Sequence, residues 1–202
     1  MNDRALRADT ASLTMPLPPV NASRTLVHTR RIVLQGWKRE EGLWDIEARL
    51  TDVKDHDYPL ASGLRRQGDP VHDLWVRATI DREFNVIDAA ASFDAVPYPG
   101  GCDTIAGAYG KLVGLNLVRG FRRTVAEMFE SVHGCSHMTE LLGLLPTAAI
   151  QTFASEVIET EGASPGDKPF QLDRCHALET TAETVRRYYP RWYRGPRANS
   201  SS

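Results

Sequence analysis

The chain has 202 residues, enough for one domain with its own core and short for two. Lys plus Arg number 24 and Asp plus Glu 26, a formal charge of −2, which leaves no positive excess to track a nucleic-acid backbone or an anionic bilayer. Apolar runs of a few residues fall short of the ~20 that a membrane span needs, the N-terminus lacks a signal-peptide core, and Cys102, Cys135 and Cys175 are too few and too scattered for a disulfide framework, so a cytoplasmic protein is expected.

Residues 1–23, centred on Met15-Pro16-Leu17-Pro18-Pro19, lack periodicity and read as a mobile arm. A strand is predicted over about 24–34, broken by Gly36. The next covers 43–54, where Trp44, Ile46, Ala48 and Leu50 alternate toward a core. After a Pro- and Gly-bearing loop from Asp55 to Pro70, strands are expected near 72–80 and 85–93, completing an antiparallel meander. Beyond Pro97-Tyr98-Pro99-Gly100-Gly101 the period changes to that of helices, expected near 103–114, 119–131 and 136–155, with Pro146 ending or kinking the last. Strands first and helices after imply an α+β fold, an antiparallel sheet covered by helices. One domain is expected over 24–190, followed by a flexible tail over 191–202.

Three groups of residues bear chemistry. His28 and Arg30 share one face of the first strand, and Asp45 and Asp52 lie on the next; a carboxylate partner would fix the His28 tautomer for acid–base work. The alternative is a solvated face with surface ion pairs. Gly134-Cys135-Ser136-His137 sets a thiol and an imidazole two residues apart at a helix start, with a buried Cys and a capping Ser136 as the plainer reading. Cys102, at another helix entrance, could meet Cys135 and share a zinc ion with His72, Asp73 or His137. Trp44, Tyr98 and Tyr109 would suit either a pocket wall or the core. The chain has no GxGxxG, GxxxxGK[ST] or GxSxG pattern, so no nucleotide or flavin cofactor is expected.

With His28-Thr29-Arg30, Gly42-Leu43-Trp44-Asp45-Ile46-Glu47, Leu50-Thr51-Asp52-Val53-Lys54 and Gly134-Cys135-Ser136-His137-Met138-Thr139-Glu140 in one order, the chain resembles the DUF2889 family over about 24–190. A second, more distant likeness, from His72 to Thr152, is to iron–sulfur scaffold proteins of the NifU and SufU type. In those proteins a cysteine precedes a hairpin, a second stands at a helix entrance and a third opens a later helix. Cys102 and Cys135 keep two of these places, and His72-Asp73 stands near the first. This likeness implies an IscU/SufU-like core with an added N-terminal sheet segment.

These readings favour a small-molecule enzyme, a lyase of the retro-aldol or elimination type on a small, aromatic substrate. His28, Arg30, Asp52 and His137 are its expected catalytic residues, and His72, Cys102 and Cys135 the expected ligands of one divalent metal, zinc, if it is metal-assisted. His28, Arg30, Asp52, Cys135 and His137 should then border one pocket. The alternative is a metal-binding or iron–sulfur-scaffold-like protein without catalysis. A homodimer is compatible with either.

Overall fold

The computed structural model describes residues 17–160, 164 and 166–195; the expected arm and tail fall largely on residues 1–16 and 196–202, outside this range. Strands β1 (His28–Lys38), β2 (Trp44–Lys54), β5 (Pro70–Ile80) and β6 (Val86–Ala95) form one antiparallel sheet in the order β1-β2-β5-β6. A two-stranded hairpin, β3 (Tyr58–Leu60) with β4 (Gly63–Arg65), is inserted between β2 and β5. With helices α1 (Phe121–Met128), α2 (Ser136–Leu142), α3 (Leu145–Phe153) and α4 (Glu183–Tyr188) following, the chain is an α+β protein.

The alternation in β2 explains where the core lies. Trp44, Ile46, Ala48, Leu50 and Asp52 are all buried, and the residues between them are half-buried, because successive side chains on a pleated strand leave opposite faces. The register then stacks Trp44 beside Ile80, Ile46 beside Ala78, Ala48 beside Val76 and Leu50 beside Leu74, so one face of the sheet is a continuous apolar layer. Leu112, Phe121, Val125, Leu141, Leu142, Leu145 and Phe153 close over it. Each fully buried Leu or Phe contributes roughly 1.5–3 kcal/mol.

Several elements depart from the sequence reading. β1 begins at His28 and runs through Gly36, which pairs with Ile46 and does not break the strand. Gly36 is needed for packing: a Cβ there would stand 2.0 Å from Thr152 Oγ1 on α3. The segment Asp103–Leu112 is a 3-10 helix, in keeping with the low helix propensity of its Gly107 and Gly110. The expected helix over 136–155 is two helices separated at Gly143-Leu144, with Pro146 in the first turn of α3, where its missing N–H costs nothing. Among the described residues no helix is long and apolar enough to cross a membrane.

Candidate active site

The apolar layer ends in a polar rung. One pair beyond Leu50 and Leu74, the same inward rows bring Arg30, Asp52 and His72 side by side on β1, β2 and β5, with Arg30 opposite Asp52 and Asp52 opposite His72. Asp52 is 4% exposed. A carboxylate so buried must be paired on both oxygens to remain charged. Its Oδ1 accepts from His28 Nε2 at 2.9 Å and Arg30 Nε at 2.8 Å. Its Oδ2 accepts from Arg30 Nη2 at 2.8 Å and sits 3.1 Å from His72 Nδ1. The Arg30 fork is thus bidentate, the strongest arrangement open to this pair.

Helix α2 closes the rung from above. His137 and Glu140, three residues apart on one helical face, both reach it. Arg30 Nη1 donates to Glu140 Oε2 at 2.6 Å, and His137 Nε2 lies 3.7 Å from Asp52 Oδ2. The rings of His72 and His137 stack with centroids 3.9 Å apart. Beneath α2, Tyr109 Oη accepts the Cys135 backbone N–H at 3.0 Å, which pins the start of the helix to the 3-10 segment. Cys135 Sγ stands 4.0 Å from His137 Nδ1.

The electrostatics follow from this packing. Burial alone would raise the Asp52 carboxyl, but hydrogen bonds from Arg30 and His28, with the charges of Arg30 and His72, overcome it and hold the group at about 2. Burial also pushes His72 below the ordinary histidine value, assisted by the neighbouring His137 and opposed by Asp52. His137 shifts the same way, through burial and then the Arg30 charge. Both imidazoles are therefore neutral at pH 7, beside a fixed carboxylate.

A cavity of about 480 Å³ opens beside the two rings. His72 and His137 line it, Phe93 and Tyr98 offer aromatic surface, and Cys102 and Cys135 belong to the same wall. His28, Arg30 and Asp52 are not among its lining residues. The five residues expected to border one pocket do form one cluster, yet only Cys135 and His137 of them face the space where a ligand would sit. Arg30, His28 and Asp52 stand behind the rings as their support.

Of the expected metal ligands, His72 belongs to this rung. The compact group of ligating side chains among the described residues is Asp52, His72 and His137, whose atoms lie within 4.8 Å of one another; neither cysteine belongs to it. Around an ion with bonds of about 2.0–2.1 Å, tetrahedral ligand atoms stand about 3.3–3.4 Å apart, and the 3.1 and 3.7 Å separations here straddle that spacing. The Asp52 carboxylate, however, has about four acceptor positions, and Arg30, His28 and His72 occupy four. An ion would have to displace one of these donors.

Other candidates lie elsewhere for reasons of parity. Asp73, next in sequence to His72, leaves the opposite face of β5 and pairs with Arg49 there, at 2.6 and 2.8 Å. Asp45 likewise binds Arg39 and Thr79. Trp44 packs edge-on against Phe153 in the core. Ser136 is not the cap of α2; Cys135 holds that position, and its side chain makes no capping bond. The sequence reading passed over Glu140, although its place one turn after His137 was a usable signal. Cys175 is exposed and outside the cluster.

An α+β scaffold with a carboxylate–imidazole rung on a cavity defines a class of site suited to moving protons. A family model described as a protein of unknown function, DUF2889, matches residues 28–151, and the chain belongs to that family. The match runs from β1 into α3 and so contains the whole rung and helix α2 above it. No curated protein and no solved structure matches the chain, so the likeness to iron–sulfur scaffolds gains no support.

Proposed function

We propose that this protein is a small-molecule lyase that works by proton transfer, cleaving a small aromatic substrate by a retro-aldol or elimination reaction. The observation that carries the reading is the Asp52–His72 hydrogen bond at the cavity wall. A donor bond from His72 Nδ1 to the carboxylate leaves Nε2 as the basic nitrogen, and Asp52 stabilises the imidazolium formed when that nitrogen takes a proton. In a retro-aldol step His72 removes the proton of a substrate hydroxyl, the C–C bond breaks as the carbonyl forms, and the carbanion fragment recovers that proton from the His72 imidazolium, which returns His72 to its neutral form. Arg30 and His28 keep Asp52 ionised and oriented, a positioning role. Phe93 and Tyr98 suit a planar ring that delocalises the carbanion charge.

The test is release of an aldehyde from a panel of aryl-substituted β-hydroxy compounds. Turnover by the unmodified protein, falling by about 10² or more in His72→Gln with an unchanged melting temperature, is expected. No turnover across the panel, or equal turnover in the variant, overturns the reading.

A second reading is favoured by the spacing of Asp52, His72 and His137 alone: a divalent ion held by these three. Metal analysis of protein purified without an affinity tag decides it. A stoichiometric ion lost in His72→Gln would move the chemistry from bare imidazoles to a metal centre.

A further inference from the structure

The proton-transfer reading leaves both thiols of the cavity wall unused, and one of them, Cys135, has an imidazole beside it. We propose that Cys135 is a nucleophilic thiol that adds reversibly to an aldehyde in this cavity, with His137 as the carrier of its proton.

The geometry assigns each part. Cys135 Sγ and His137 Nδ1 are 4.0 Å apart, and both residues line the cavity. The other nitrogen of His137 faces the Asp52 carboxylate at 3.7 Å, so the proton of the neutral ring is favoured on Nε2 and the lone pair on Nδ1, toward the sulfur. Thiol, imidazole and carboxylate are thus arrayed in the order used by activated cysteines. The sulfur is also held in place from the backbone: the Cys135 N–H donates to Tyr109 Oη, and its carbonyl accepts from the Thr139 N–H and hydroxyl. Helix α2 needs nothing from the side chain, which makes no capping bond.

The step balances without an oxidant or cofactor. As Sγ attacks the carbonyl carbon, the C–S bond forms and the C=O π pair moves to oxygen. The thiol proton passes to His137 Nδ1 and on to that oxygen, giving a neutral hemithioacetal; reversal restores thiol and aldehyde. An aldehyde is the electrophile that the proposed lyase reaction would liberate in this space, so the choice of ligand class rests on that reading, while the thiol–imidazole pair does not. Cys135 would retain the product briefly and couple its release to proton transfer at His137.

Alkylation separates activation from exposure. Cys175 is exposed and Cys135 only partly so, so under limiting iodoacetamide accessibility alone puts Cys175 first. The proposal expects Cys135 first, located by peptide mass spectrometry, with its rate falling about tenfold or more in His137→Ala while Cys175 is unchanged. In a second arm, benzaldehyde labelled with ¹³C at the carbonyl should give a protein-bound hemithioacetal resonance in the unmodified protein and in Cys175→Ala, and none in Cys135→Ala. Cys175 reacting first, or an adduct that survives Cys135→Ala, overturns the proposal. Neither arm uses turnover. Adduct formation with a failed lyase panel leaves the thiol assignment standing alone; turnover without an activated Cys135 removes it and leaves the lyase reading intact.

Discussion

Two neighbouring rungs of the sheet, Ile32–Leu50–Leu74 and Arg30–Asp52–His72, occupy the same inward rows and are separated by one step of the pleat. Leu50 and Asp52 are both buried, but what buries them differs. The apolar rung is held by removal of hydrocarbon from water and tolerates its neighbours loosely in direction. The polar rung is viable only if each oxygen finds a donor, and that demand fixes the orientation of three side chains at once. A scaffold that continues one step past its core therefore obtains a rigid site from the same alternation that builds the core.

Substitutions at the two rungs should separate these contributions. Asp52→Ala is expected to have the largest effect, costing about 4 kcal/mol by leaving Arg30 and the histidines without their acceptor and abolishing turnover as well; chemical denaturation and the aldehyde assay check both. Leu50→Ala should cost about 3 kcal/mol through transfer and cavity terms, with turnover of the folded fraction preserved. If Leu50→Ala silenced activity as thoroughly as Asp52→Ala, the two rungs could not be treated as separate.

The pH dependence sharpens the same contrast. Asp52 is depressed to about 2, so its stabilisation is complete above its unfolded value near 4 and is lost as the pH falls toward 2. His72 and His137 are also depressed, and the unfolded chain binds their protons first, so their contribution is complete above about 6.5 and is lost below it as the folded rings protonate. Stability should therefore decline on acidification in two stages, and turnover should decline in the first, when His72 ceases to be a base. In Leu50→Ala both stages should persist, and in Asp52→Ala the lower one should shrink to what the exposed, likewise depressed carboxylates Asp57, Asp173 and Glu183 contribute, as melting curves across pH would show. The smallest effect belongs to Glu140→Gln: its pair with Arg30 is partly exposed, and a loss of about 1 kcal/mol or less is expected.

Much of this arrangement was legible along each strand and little of it across strands. The alternation of Trp44, Ile46, Ala48 and Leu50 carries directly to Asp52, and the spacing of His28 and Arg30 placed both on its side. Which residue of β5 faces Asp52 depends on register, and the register depends on the long connection between β2 and β5. His72 could therefore be read as a candidate ligand but not as the partner of Asp52. The two cysteines were grouped by their positions at helix entrances, whereas the packing of α2 turns His137, not Cys135, onto the rung. Gly36 looked like a strand breaker because nothing local announces that Thr152 needs its space. The β3–β4 hairpin escaped notice because three-residue strands are too short to show a period.

That hairpin makes the cavity wall adjustable independently of the polar rung. Arg65 Nη2 donates to the carbonyl of Val96 at 2.6 Å and the Ser62 hydroxyl to that of Pro97, and both of these backbone positions line the cavity. The hairpin belongs to a connection, residues 55–69, that leaves β2 just past Asp52 and returns to β5 just before His72. Loop closure costs only about 0.6 kcal/mol for each doubling of length. Insertions or deletions in this segment can reshape the cavity while the Arg30–Asp52–His72 rung stays untouched, so the shape of the cavity and the chemistry of the rung can vary separately within this fold.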